Sequence, residues 1–177
     1  MNIAMTLRRF GMTPALISAI GRDAEGEELV AEAQRMGLVT DHLYRSDDLP
    51  TDVYMAIEGA NGLIAAIADA HSLEAAGDKI LRPLADGRLG SVAAPFKGTV
   101  ALDGNLTEEE AGLLCQTTFA TSAEAAAALL KRGAHRVLVT DGGNAASEGT
   151  ADDIISHTPP AVMVTRVTGA GDTFMAA

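Results

Sequence analysis

The sequence predicts an α/β protein, an open and mostly parallel sheet with helices on both faces. Short aliphatic segments of strand length alternate with segments of helical period. A glycine-rich turn, Gly169-Ala170-Gly171-Asp172, follows the last aliphatic segment and opens a helix. The chain is 47% hydrophobic but only 3% aromatic and has no Trp. A core of Ala, Val, Ile, Leu and Met suits helices packed on a buried sheet better than an aromatic-rich sandwich. A length of 177 residues suits one domain, 1–177.

Residues 2–10 read as a short helix, with Ile3, Leu7 and Phe10 near one face and Gly11 as its stop. Residues 14–20 read as a buried strand. Asp23 is placed to cap a helix over 24–36, which Gly37 closes. Val39 and Thr40 begin another extended piece. Residues 52–57 and 63–68 read as two strands of a hairpin about Asn61-Gly62, an appendage on the main sheet spanning about 51–70. Residues 72–84 are helical but interrupted by Gly77 and Pro83. Thr99–Asp103 reads as a short strand and Glu108–Gln116 as a helix. Ser122 is the expected cap of an Ala-rich helix over 123–132, ended by Gly133. Arg136–Thr140 is a strand turned by Asp141-Gly142-Gly143, and Ala161–Thr165 is a last strand.

The formal net charge of −11 argues against non-specific nucleic-acid or membrane surfaces, which need clustered Lys and Arg. No apolar stretch is long enough to span a bilayer, and the N-terminus lacks the apolar core of a secretory signal. The single Cys115 cannot form a disulfide within the chain, which fits a reducing cytoplasm. In its apolar run it reads as a small buried hydrophobe. The four histidines show no metal-ligand spacing.

Most of the chemistry lies in Val167–Phe174. Glycines let a backbone approach a ligand closely. Successive N–H groups at a helix start favour an anion. Asp172 could take a proton from a hydroxyl while neighbouring N–H groups hold a transferring phosphoryl group. The same four residues also suit a tight turn with Asp172 as a helix cap.

Thr168-Gly-Ala-Gly-Asp-Thr-Phe174 resembles the C-terminal signature of the ribokinase (PfkB) family of kinases. Asn2-Ile-Ala with Leu7–Gly11 resembles the back half of the family's N-terminal glycine signature. Leu16–Gly21, Asp23, Gly26, Leu29 and Gly37–Thr40 resemble the strand and helix that follow it. Val137–Thr140 with Gly142 and Gly143 resembles the strand and turn near the nucleotide. Within the family, Val53–Ile57, Gly62–Asp69 and Ala101–Leu106 look most like pseudouridine kinases.

The resemblance implies a ribokinase-like sheet, with the hairpin as a lid over the sugar. It implies transfer of a phosphoryl group from ATP, with Mg2+ and room for a monovalent cation such as K+, to a hydroxyl of pseudouridine or a related nucleoside or sugar. Asp172 would be the base, and Gly169, Ala170 and Gly171 would supply N–H groups to the phosphoryl oxygens. Thr140, Gly142 and Gly143 would lie near ATP, or simply end a strand. Asn2 would touch the substrate, or simply cap its helix. Asp69 would be a substrate contact or a turn carboxylate, and Asp103 would lie near the substrate. Asn105, with Glu108 or Glu110, would serve magnesium; otherwise Glu108–Glu110 form a solvated acidic helical turn. A homodimer is compatible with this reading.

Against the family pattern, the first strand and leading glycines are missing, a block near 106–110 looks deleted, and five residues follow Asp172. The fold is therefore expected to be incomplete and the kinase impaired. A non-catalytic remnant that binds nucleotide or a partner is the other reading.

Overall fold

The computed structural model describes residues 1–59, 62–102, 119–161 and 170–176. The chain divides into two compact units, 1–104 with 165–177 and 105–164.

The first unit opens with helix α1 (Asn2–Arg9), followed by strand β1 (Ala19–Gly21), helix α2 (Ala24–Arg35) and strand β2 (Tyr44–Ser46). β1 and β2 pair in parallel, Ala19 opposite Tyr44 and Gly21 opposite Ser46. All three residues of β1 are buried. The strand expected over 14–20 is shorter than its sequence suggests. Upstream of β1 only a parallel bridge, Ala15 to Val39, continues the pairing. Pro14 accepts from the Val39 N–H but has no N–H to return. Around these elements Ala4, Ala33 and Leu38 form a small core, joined by Met5, Leu16 and Met36. Gly37 ends α2 at φ +80°, a conformation that favours glycine.

Asp23 caps α2 as expected: its carboxylate accepts the Gly26 N–H at 2.8 Å. It also accepts the Thr51 N–H and Thr51 Oγ1–H, each at 2.6 Å, and so joins the start of α2 to the chain after β2. These bonds, led by the Thr51 hydroxyl, hold its pKa below the usual carboxylate value. Gly26 lies against this junction. An added Cβ would sit 2.3 Å from the Gly21 carbonyl oxygen and 2.6 Å from Thr51 Oγ1. Helix propensity alone favours Gly→Ala by about 1 kcal/mol. Here overpacking reverses the sign, and Gly26→Ala is expected to lose about 2 kcal/mol in urea unfolding.

The hairpin is present as strands β3 (Val53–Gly59) and β4 (Gly62–Asp69), antiparallel with Val53 opposite Asp69. Its β3 residues are all exposed. Helix α3 (His71–Ala76) and a 3-10 helix (Gly77–Leu84) follow, with the break at Gly77 where the sequence places it. Asp52 accepts the Ser72 and Leu73 N–H groups at 2.9 and 3.2 Å, and so caps α3 from outside the helix. Ile80 and Pro83 are the largest buried side chains of this segment.

Of the strand expected over Thr99–Asp103, residues 99–102 are described and form no strand. Residues 99–102 are extended by sequence but unpaired among the described residues, and Val100 and Leu102 are 50% and 42% exposed. An aliphatic run without a neighbouring ladder leaves its backbone groups to water. Asp103 and the helix expected at 108–116, including Cys115, lie outside the described residues, as does most of the strand expected at 161–165.

The second unit contains helix α4 (Ser122–Lys131) and strands β5 (Arg136–Val139), β6 (Ala146–Thr150) and β7 (Ile154–His157). The three strands form an antiparallel sheet in that order. The helix cap is Thr121, one residue earlier than expected, whose side chain accepts from the Glu124 N–H. Ser122 instead turns inward. Its hydroxyl donates to the Ala145 carbonyl at 2.6 Å and shares a hydrogen bond with Ser147, which shares another with Ser156. Burial of two serines is tolerable because each hydroxyl has a partner.

Candidate functional site

Helix α5 (Ala170–Ala176) carries Asp172 in its first turn. It packs against α1, and between them Asn2 Nδ2–H donates to Asp172 Oδ2 at 3.0 Å. Two residues that the family resemblance marks as site residues, 170 positions apart, are in direct contact. Asp172 is half-buried. Asn2 does not cap α1: the cap position is Met1, and no side chain bonds there. Asn2 is the first helical residue, and its own carbonyl accepts from Thr6 Oγ1 at 3.1 Å.

The sequence explains why this pair forms. Ala4 presents a small apolar surface to Ala33 and Leu38, which seats α1 on α2. Arg8 donates to the Met12 carbonyl, a local bond that closes the C-terminal end of α1. With α1 fixed, its first residue projects toward α5. The Asn2 amide engages one oxygen of Asp172, and among the described residues Oδ1 has no donor and can accept from another.

Gly171 is exposed, and a Cβ added there would meet nothing within 4 Å among the described residues, so from their side a ligand can approach its backbone. Ala170 begins α5. Gly169 lies outside the described residues, as do Asn105, Glu108 and Glu110. Asp69 closes β4 and is exposed at the end of the hairpin.

In the second unit, Thr140 is exposed just after β5. The following turn is held by the Asn144 N–H bonding the Asp141 carbonyl at 2.8 Å, and Asn144 Nδ2–H also donates to the Asp141 carboxylate. Gly142 takes φ +52°, and neither Gly142 nor Gly143 has an atom of the described residues within 4 Å of an added Cβ. An open, glycine-built turn of this kind can admit a bound nucleotide close to its backbone. Among the described residues no cluster of three His, Cys, Asp or Glu is arranged to hold a metal. No helix among them is long and apolar enough to cross a membrane.

Solved structures define the class of this fold. A provisionally named sugar kinase from Clostridium perfringens superposes with a TM-score of 0.59 at 21% identity, covering 99% of this chain and 68% of its own. A provisionally named ribokinase from Agrobacterium tumefaciens gives 0.63 at 20%, covering 99% and 69%. A provisionally named ribokinase II from E. coli, solved with ATP and Mg2+, gives 0.58 at 18%, covering 99% and 72%. The fold is therefore ribokinase-like α/β, as the strand and helix alternation predicts. The model of the pfkB family carbohydrate kinases matches residues 1–85 and 105–177, and the chain belongs to that family. No curated protein matches it.

Proposed function

We propose that the chain transfers the γ-phosphoryl group of ATP to a hydroxyl of pseudouridine or a closely related nucleoside, with Asp172 as general base. The contact between Asn2 and Asp172 is the observation that carries this reading, because it fixes a carboxylate beside an open glycine backbone. In the proposed step a substrate hydroxyl gives its proton to Asp172 Oδ1 as its oxygen attacks the γ-phosphorus. The bond from that phosphorus to the β–γ bridging oxygen breaks, and ADP leaves. The Asn2 amide holds Oδ2 and so orients the carboxylate; its remaining N–H and its carbonyl oxygen are the groups it offers to a substrate. Gly171 and Ala170 would present N–H groups to the phosphoryl oxygens. Thr140, Gly142 and Gly143 would hold the nucleotide. The hairpin β3–β4 would cover the sugar, with Asp69 at its base.

Pseudouridine is favoured over a free sugar by the likeness of Val53–Ile57 and Gly62–Asp69 to pseudouridine kinases. A coupled assay of ADP release with Mg-ATP tests it on a panel of pseudouridine, uridine, ribose and fructose. Turnover highest with pseudouridine supports the proposal. Turnover on free sugars alone moves the substrate class. No turnover on any of them favours the non-catalytic reading.

A further inference from the structure

A second feature stands apart from the Asn2–Asp172 pair. A cleft of about 190 Å³ lies beside β2, and neither Asn2 nor Asp172 lines it. Its wall includes Arg22, His42, Arg45, Lys79, Arg82 and Arg88. Five of the 13 Lys and Arg residues of a chain with net charge −11 therefore converge on one small space. They come from four places: the end of β1, β2, the 3-10 helix and the turn after it.

No carboxylate lines the cleft. Three of the cations have acidic partners outside it: Arg22 with Asp47 at 2.9 Å, Arg45 with Glu27 at 2.6 Å and Arg88 with Asp86 at 2.6 Å. Lys79 has its ammonium 5.4 Å from the Tyr44 ring centroid and its charge reaches Asp48. The Arg82 guanidinium makes no ion pair or hydrogen bond among the described residues.

Two buried polar atoms on the wall are also unmatched. Arg45 Nε–H and His42 Nδ1 have no hydrogen-bond partner among the described residues. The other end of the Arg45 guanidinium is committed, Nη2 donating to the Gly21 carbonyl and to Glu27.

We propose that this cleft binds the phosphate or diphosphate group of a small phosphorylated molecule, at a site separate from the catalytic pair. Guanidinium groups match phosphate oxygens with planar, paired donors; four line this wall, and that of Arg82 has no partner among the described residues. The volume is below the roughly 300–1,000 Å³ of pockets that enclose a drug-sized ligand. It therefore suits a phosphate head with the remainder of the molecule outside. The planar, paired donors of a guanidinium group favour an oxyanion over chloride.

Calorimetric titration of the full chain with inorganic pyrophosphate tests the site. Saturable binding is expected, weakening as salt rises. The double variant Lys79→Ala/Arg82→Ala should bind at least tenfold more weakly, with an unchanged circular dichroism spectrum. If that variant does not fold, Arg82→Ala alone should still weaken binding about threefold, since the Arg82 side chain holds no partner. Asp172→Asn should bind as the parent does. No saturable binding, or affinity unchanged by loss of Lys79 and Arg82, overturns the proposal. So does affinity that changes in Asp172→Asn instead, which would place the probe at the catalytic pair.

Discussion

Asp172→Asn should lower kcat with pseudouridine by roughly 10²- to 10⁴-fold, the range a positioned general base contributes. KM should change little. The substitution keeps the shape of the side chain and removes only its ability to take a proton. Asn2 can still meet an amide at position 172, because its N–H can donate to the new carbonyl oxygen. The α1–α5 packing should therefore survive, and the loss should fall on kcat rather than on binding. Asn2→Ala should be milder, since the base remains and only its orientation suffers. Steady-state ADP release for the parent and both variants checks this. An Asp172→Asn chain that keeps the parent's rate would remove Asp172 from the chemistry, and the phosphoryl-transfer assignment with it.

Asp23→Ala is expected to be the most damaging single change to stability in the first unit. It removes the α2 cap and both bonds to Thr51 at once. A melting temperature lower by roughly 5–10 °C follows from losing a cap and two hydrogen bonds in a chain of this size. The same carboxylate makes stability depend on pH. Its folded pKa lies below its ordinary value of 3.8, chiefly because the Thr51 hydroxyl donates to it. The unfolded chain therefore binds the proton more readily. The contribution is complete above about pH 4 and fades as pH falls through the lower folded value. Asp48, held by the Ser46 hydroxyl, and Asp86, held by Arg88, shift in the same direction and add to acid sensitivity. Asp23→Asn should flatten the fall in melting temperature between pH 5 and 3 without abolishing it. A profile parallel to the parent's would exclude Asp23 as a source.

What the sequence made legible follows from where its signals are local. Asp23 before a helical period, Gly37 after it and Asn61-Gly62 between two aliphatic runs each mark a boundary within a few residues. The structure has elements at all three. Strand β6 was invisible because its inward residues are Ser147 and Gly149, so it carries no hydrophobic alternation. Strand β2 is three residues long and includes an arginine. Residues 99–102 misled for the opposite reason: Val100, Ala101 and Leu102 are apolar, but the segment has no pairing strand among the described residues. The site followed the same rule. Asp172 and Asn2 stand out through their family-like motifs, whereas their contact needs the packing of α5 on α1. The basic cleft drew on residues from four segments, none of which is unusual alone.

The Asn2–Asp172 contact joins residues 170 positions apart. Contacts of such long sequence separation are slow to form, because the intervening chain must close before they reward it. The proposed base is therefore oriented only once α1 and α5 have docked, late in folding rather than with the local caps and turns.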